Sequence, residues 1–142
     1  MNIILDANVL IGALIKDSHI RRLIILSDMP LLYPEIMLQE IRKYKDLMLQ
    51  KSGMDAKSYE KLLTKLLSYI VLVPTEQLTE HLPEAKEVMK DIDIKDAPFI
   101  AAALAYEDSV IWSDDAHFKM QKRITAYTTV EITKIILANQ EL

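Results

Sequence analysis

The sequence predicts a three-layer α/β/α sandwich with a mostly parallel central sheet of four or five strands. Short apolar runs without polar interruptions are typical of strands covered on both faces, as in parallel sheets. Helical patterns alternate with these runs along the chain, which favours the α/β class. The length of 142 residues, with 51% hydrophobic and 27% charged residues, suits one globular unit. We therefore expect a single domain over residues 1–142.

The predicted strands are four short aliphatic runs and a fifth, weaker candidate. They cover Asn2–Leu5, 30–33, 69–73 and Ser109–Trp112, with the fifth candidate at 124–127. None of these segments alternates cleanly between apolar and polar residues. We therefore expect helices on both faces of the sheet.

Helical patterns fill the intervals between the strands. The predicted helices cover 9–15, 20–26, 35–49, 57–67, 83–89, 98–106 and 130–139. Residues 45–56, which include Gly53, are predicted to be a helix break or a loop. Thr128 precedes the last helix, and Glu131 stands three residues after Thr128, which fits a capping box.

Composition excludes several classes of protein. The chain has no cysteine, which excludes disulfide scaffolds, cysteine zinc sites and cysteine nucleophiles. It has two glycines, too few for a glycine-rich phosphate loop. No apolar run is long enough to span a membrane, and the first residues do not read as a signal peptide. We therefore expect a cytoplasmic protein with no membrane partner.

The charge is slightly negative overall but unevenly distributed. A net charge of −4 argues against a broad basic face for duplex DNA. Residues 42–65 nevertheless contain seven lysines and arginines against three acids, and residues 75–96 contain seven acids against three lysines. These blocks are either solvated helix faces or a basic helical arm beside an acidic pocket.

Several acids stand where open α/β sheets bind ligands, at the carboxyl ends of strands. Asp6 ends the first strand, Asp114 and Asp115 follow the fourth, Asp96 opens an alanine-rich helix, and Glu40 lies in the helix after the second strand. Clustered carboxylates repel one another, so they either take up protons or bind a cation. Oxygen ligands without cysteine suit Mg²⁺ or Mn²⁺.

Each acid also has a purely structural interpretation. Asp6 and Asp96 could cap the helices that follow them, and Asp114 or Asp115 could be a turn residue. Glu40 could lie on a solvated helix face. The case for a site therefore depends on whether these acids meet.

Four segments, in order along the chain, resemble the motifs of the PIN domains. Residues 3–10 read IILDANVL, residues 34–41 read PEIMLQEI, residues 96–105 read DAPFIAAALA, and residues 111–118 read IWSDDAHF. PIN domains are small metal-dependent ribonucleases, and many are VapC-type toxins of bacterial and archaeal toxin–antitoxin pairs. The resemblance covers nearly the whole chain and implies a PIN-like fold.

The resemblance also implies the site residues. The metal-site acids correspond to Asp6, Glu40, Asp96 and Asp115, and the small polar residues that support them to Asn8 and Ser113. Serine stands at 113 where threonine is commoner in the family. The spacing to Phe118 favours Asp115 over Asp114 as the fourth acid, and Asp93 is a further candidate beside Asp96.

The implied activity is Mg²⁺- or Mn²⁺-dependent hydrolysis of phosphodiester bonds in single-stranded or structured RNA. Glu40 would orient or deprotonate the attacking water. The implied partners are an RNA substrate, an antitoxin protein and a second copy of the chain in a homodimer. The leucines at 62, 63, 66 and 67 are then either core or interface residues.

Other interpretations of the same residues remain open. The first is a catalytically silent PIN fold that binds RNA or protein. A haloacid-dehalogenase-type phosphoryl-transfer site would need a second acid where Asn8 stands. A receiver domain would need an acid after the third strand, where Pro74 and Thr75 follow instead. The spacing of His19, His81 and His117 gives no support to a histidine-based ribonuclease, although His117 is close enough to Asp115 for a peripheral role in the site.

Overall fold

A five-stranded parallel sheet forms the centre of the molecule, in a computed structural model that describes residues 1–15 and 18–140. The strands are β1 (Asn2–Leu5), β2 (Leu31–Pro34), β3 (Ile70–Val73), β4 (Ser109–Trp112) and β5 (Ala126–Tyr127). All four pairings between neighbouring strands are parallel. The predicted α/β/α sandwich is confirmed, and the fifth candidate strand is a short edge strand.

The strand order is β3-β2-β1-β4-β5, so β2 and β3 lie on one side of the central strand β1, and β4 and β5 lie on the other. Ile3 of β1 pairs with Leu31 on one side and with Val110 on the other. A crevice forms at such a switch point, outside the carboxyl ends of the two strands where the order reverses. Here those strands are β1 and β4, and the residues that follow them are Asp6 and Ser113.

Helices cover both faces of the sheet. Those before β3 are α1 (Ala7–Ile15), α2 (Ser18–Leu26), α3 (Leu38–Lys43), α4 (Lys45–Ser52) and α5 (Ala56–Leu67). The later ones are α6 (Thr75–Leu78), α7 (Leu82–Met89), α8 (Ala97–Ala105) and α9 (Thr129–Gln140). Short 3-10 turns occupy Glu35–Met37, Thr79–His81, Ile94–Asp96 and Ala116–Met120. No helix within 1–15 and 18–140 is both long and apolar enough to cross a membrane.

The predictions for residues 35–56 are wrong in detail. The single helix expected over 35–49 is a 3-10 turn followed by α3, a break at Tyr44, and then α4. Of the region expected to be a break or loop, Lys45–Ser52 is helical, and the break is confined to residues 53–55, between α4 and α5. Helix α4 ends because Gly53 takes a left-handed conformation with φ of 72°, which glycine adopts at little cost. The Asp55 side chain then caps α5 by accepting a hydrogen bond from the Ser58 amide.

Large aromatic side chains lie beneath the carboxyl edge of the sheet. Phe99 packs edge-on against Tyr33 and Phe118, with ring centroids 5.8 and 6.0 Å apart. Trp112 is fully buried, and its indole N–H donates to the Thr129 hydroxyl at 2.9 Å. Trp112 and Phe118 are both fully buried core residues. Burying such rings fixes the ends of β2 and β4 and the start of α8.

Two local predictions can be checked directly. The capping box at α9 is confirmed, because the Glu131 amide donates to the Thr128 hydroxyl and the Thr128 amide donates to the Glu131 carboxylate. Of the four leucines of α5, Leu66 is buried and the others pack partly against the core, which favours the core interpretation.

Candidate active site

A cavity of about 380 Å³ lies at the switch point and is lined by five acids. These are Asp6, Glu40, Asp93, Asp96 and Asp115. They come from the ends of two strands, the helix after a third, and the start of α8. The structure therefore brings the four predicted acids together with Asp93, the further candidate.

Asp6 is the most deeply buried of these acids, with 4% of its surface exposed. Its amide donates to the Trp112 carbonyl at 3.0 Å, which continues the pairing of β1 with β4 and fixes the backbone. Burial raises the pKa of the Asp6 carboxyl, and the nearby Asp115 carboxylate raises it further. Hydrogen bonds from the Ser113 hydroxyl and from the amides of Ala7 and Asn8 lower this pKa in opposition.

Ser113 connects two of the acids. Its hydroxyl, on a residue only 2% exposed, donates to Asp6 Oδ2 at 2.7 Å and accepts from the Asp115 amide at 2.9 Å. The Asp115 carboxylate in turn accepts from the His117 amide at 2.9 Å, which caps the following 3-10 turn. Because both ends of this chain of hydrogen bonds are fixed to backbone, Asp6 and Asp115 are held in one relative position.

The adjacent acid, Asp114, has a different environment. Its carboxylate accepts hydrogen bonds from the Thr129 amide at 2.7 Å and from the Thr129 hydroxyl at 2.6 Å. It therefore ties the β4 loop to the first residue of α9. The structure assigns a structural interaction to Asp114 and a cavity position to Asp115.

Asp96 occupies the N-cap position of α8 but makes no capping hydrogen bond with its side chain, so the capping interpretation is wrong for this residue. Asp93 caps the preceding turn instead, accepting from the Lys95 amide at 3.3 Å. The pKa of Asp96 is raised to about 7, first by burial and then by repulsion from Asp6, Asp93 and Asp115. Burial and the neighbouring carboxylates thus both favour the protonated form of Asp96.

Glu40 enters the cavity from the first turn of α3. Tyr33 lies beneath it, with its hydroxyl donating to the Met37 carbonyl at 2.8 Å. The pKa of the Tyr33 hydroxyl is raised first by burial and then by the charges of Asp6, Glu40 and Asp96. The negative charges of these three carboxylates therefore all disfavour ionisation of the same buried hydroxyl. Asn8 also lines the cavity, on an exposed position of α1.

The donor set fits a hard divalent cation. All the acids in the cavity offer carboxylate oxygens, the ligands that Mg²⁺ and Mn²⁺ prefer. A bound cation would relieve the repulsion among these carboxylates, which adds to burial in raising the pKa of Asp6 and Asp96. Within residues 1–15 and 18–140, no three acidic or histidine side chains already converge on a metal position. Ligation therefore requires rotation of side chains within the cavity.

Three exposed lysines line the same cavity. Lys43 ends α3, Lys51 lies near the end of α4, and Lys95 stands beside Asp96. The basic block at 42–65 thus reaches the acidic cavity through Lys43 and Lys51. Lys95 is not among the residues predicted from the sequence, although its position next to Asp96 points to it.

Comparison with known proteins agrees with this geometry. A family profile described as PIN domain matches residues 4–133, so the chain belongs to the PIN domain family. The structure resembles a chain from a crystal structure described as VapBC2 from Rickettsia felis bound to a DNA fragment from their promoter. The TM-score is 0.67 with 18% sequence identity, covering 90% of this chain and 98% of the other. At this identity the likeness concerns the fold. A search of curated proteins found no match.

Proposed function

We propose that the protein is a Mg²⁺- or Mn²⁺-dependent endoribonuclease that hydrolyses phosphodiester bonds in RNA. The observation that carries this proposal is the convergence of Asp6, Glu40, Asp96 and Asp115 on one cavity at the switch point of the sheet. Membership of the PIN domain family supports it. The lysines in the cavity supply the positive charge that a phosphodiester needs near so many acids.

Asp6, Asp96 and Asp115 are the residues that would hold the cation. When bound, a divalent cation acidifies water and stabilises negative charge on phosphoryl oxygens. Ser113 keeps Asp6 and Asp115 in register through its two hydrogen bonds, so the two ligands need not be ordered separately. Asn8 would hydrogen-bond to ligands or water at the open side of the cavity.

Glu40 is the proposed proton acceptor. It is half-buried on α3 and faces the other acids across the cavity, where it can orient a water molecule and take its proton. Attack of that water on phosphorus forms one P–O bond while the bond to the leaving ribose oxygen breaks. The leaving oxygen is protonated from solvent or from Glu40.

We further propose that the protein is the toxin of a toxin–antitoxin pair, acts in the cytoplasm and forms a homodimer. The support is its structural likeness to a chain of the VapBC2 complex, together with the family resemblance of its motifs. An antitoxin protein is then the expected partner. Co-expression with the product of a small neighbouring reading frame tests this part, and formation of a stable complex is the expected result.

Cleavage of a mixed single-stranded RNA pool tests the catalytic proposal. Wild type and Asp96→Asn are compared in Mg²⁺, in Mn²⁺ and in EDTA. We expect cleavage by wild type only, and only with metal, while both proteins remain folded by circular dichroism. Equal cleavage by both proteins would contradict the assignment of Asp96.

The second candidate function is a catalytically silent PIN fold that binds RNA or protein. The observation that favours it is that the acids do not already converge on a metal position. This candidate predicts RNA binding without cleavage in any metal, and equal binding by wild type and Asp96→Asn in EDTA.

A further inference from the structure

We propose that Tyr44 is a stacking platform for one unpaired nucleobase of the RNA, with Lys43 holding an adjacent phosphate. The inference rests on the proposed RNA substrate and adds that this site takes a nucleotide that is not in a duplex. It depends on the exposed wall of the cavity, formed by the turn between α3 and α4, and not on the carboxylates.

The wall is apolar and open to solvent. Tyr44 is 38% exposed and Leu47 is 44% exposed, although both line the cavity. Ile11 and Ile15 of α1 line it as well and are partly buried. Tyr44 and Leu47 therefore offer exposed apolar surface directly beside the charged cavity.

Tyr44 stands at the break between two helices. Its backbone, with φ of −100° and ψ of 11°, ends α3 and precedes α4. Helix α4 packs on α1, so the position of the turn is fixed. The Tyr44 ring is therefore presented on a rigid support, with Lys43 over one face of the ring and 38% of the residue exposed.

Lys43 and Tyr44 form a pair suited to a nucleotide. The Lys43 ammonium lies 5.5 Å from the centroid of the Tyr44 ring. An aromatic face recognises any base by stacking, and a neighbouring cation recognises the phosphate. Lys51 and Lys95 line the same cavity and offer further phosphate contacts. This interleaving of an aromatic ring with lysines favours single-stranded nucleic acid over a protein segment.

The size of the cavity limits what can enter. Its volume of about 380 Å³ lies near the lower end of the range for small-molecule sites, roughly 300–1,000 Å³. A single nucleotide fits such a space. In the proposed arrangement its phosphodiester lies at the carboxylates and its base, out of the stack, lies against Tyr44.

Binding of a labelled RNA tests this inference. The ligand is a fluorescein-labelled, mixed-sequence, single-stranded RNA of ten nucleotides, titrated by anisotropy in Mg²⁺ with the Asp96→Asn protein so that the RNA stays intact. The variants are Tyr44→Ala and Tyr44→Phe. Tyr69→Ala is the matched control. Tyr69 is 42% exposed, but it precedes β3 and therefore lies at the amino ends of the strands, whereas the cavity lies at their carboxyl ends. The same RNA annealed to its complement is titrated in parallel.

We expect Tyr44→Ala to raise the Kd for single-stranded RNA roughly tenfold, as stacked aromatic residues do in other single-strand sites. We expect Tyr44→Phe to stay within about twofold, since it keeps the ring, and Tyr69→Ala to have no effect. The duplex should bind more weakly and respond to none of the three changes.

An unchanged Kd in Tyr44→Ala would overturn the inference and leave the wall to a protein partner. Equal binding of duplex and single strand would also overturn it, as would no binding of any RNA. The measurement reports binding and not cleavage. If Tyr44→Ala weakens RNA binding but the wild-type protein cleaves no RNA, only the catalytic proposal is refuted. Cleavage with no Tyr44 dependence would refute this inference alone.

Discussion

The two sides of the cavity are built differently. The acidic side rests on strand ends and on a buried serine, so Asp6 and Asp115 are fixed by backbone hydrogen bonds. The opposite wall consists of exposed side chains from the end of α3 through α4, among them Lys43 and Tyr44, whereas the half-buried Glu40 of α3 belongs to the acidic side. This difference in construction indicates that the two sides contribute to different steps. Changes on the acidic side should affect cation binding and turnover, and changes on the helical wall should affect RNA affinity.

The largest effect is expected from the neighbouring pair Asp114 and Asp115. Asp115→Asn should lower cleavage at least about a hundredfold, because even residues that only support a metal ligand are worth roughly 10- to 100-fold. Asp114→Asn removes the same charge one residue away but keeps an oxygen that can accept from the Thr129 amide, so cleavage and stability should stay close to wild type. Initial rates in saturating Mg²⁺ check both expectations.

Equal losses in the two variants would show that local negative charge, and not the position of Asp115, supports activity. Asp114→Ala adds a separate test of the structural role. It removes both hydrogen bonds to Thr129 and should lower the free energy of unfolding by about 0.5–2 kcal/mol.

A smaller effect is expected at Ser113. Ser113→Ala removes the hydroxyl that donates to Asp6 and accepts from the Asp115 amide, so metal affinity should fall by roughly 10- to 100-fold. Ser113→Thr keeps the hydroxyl and should retain most of the affinity. Titration calorimetry with Mn²⁺ measures both. Equal affinity in the alanine variant would show that the acids are positioned without this bridge.

On the helical wall, Lys51→Gln should weaken RNA binding without changing metal affinity. The slope of log affinity against log salt concentration should decrease by about one, since one phosphate contact is lost. Anisotropy titrations over a series of salt concentrations measure this slope. An unchanged slope would place Lys51 outside the RNA path.

The metal-free protein should lose stability as the pH rises. The folded-state pKa of Asp96 is about 7 against an ordinary value of 3.8, so the folded chain binds this proton more tightly than the unfolded chain. The free energy of unfolding should therefore fall between about pH 4 and pH 7 and level off above. Burial raises the pKa of Asp6 in the same direction.

Urea unfolding in EDTA at pH 4.5 and pH 8 measures this trend, with Asp96→Asn as the matched control. The asparagine resembles the protonated acid, so the variant should be more stable than wild type at pH 8 and similar to it at pH 4.5. Added Mg²⁺ should stabilise wild type at pH 8 more than the variant, because it binds the folded state with all its ligands. Identical pH profiles for the two proteins would contradict the charge repulsion.

The acidic side could be predicted well from the sequence, and the helical wall could not. Asp6 directly follows the apolar strand β1, and Asp115 lies shortly after the apolar strand β4. In a parallel sheet, the carboxyl ends of neighbouring strands lie at the same edge. The spacing to Phe118 in the motif favours Asp115 over Asp114 as the fourth acid of the site. The structure supplies a physical reason, because the Asp114 carboxylate accepts from the Thr129 amide and hydroxyl at the start of α9.

The break at Tyr44 left little trace in the sequence. Neither glycine nor proline marks it, and the helical pattern of 35–49 runs through it. The break depends on the packing of α4 against α1, a contact between segments distant in the chain. Gly53 was the visible signal, but it marks the end of α4 and not the break itself. The hydrogen bonds of Ser113 likewise follow only once β1 and β4 are known to be neighbours.

Binding of Mn²⁺ by wild type, Asp115→Asn and Asp114→Asn tests most directly whether the strand-end acids form a cation site. Electron paramagnetic resonance of free Mn²⁺ at pH 8, without RNA, reports the fraction bound. We predict saturable binding by wild type and Asp114→Asn with similar Kd, and at least tenfold weaker binding by Asp115→Asn. Equal binding by all three proteins, or none by wild type, would contradict the account.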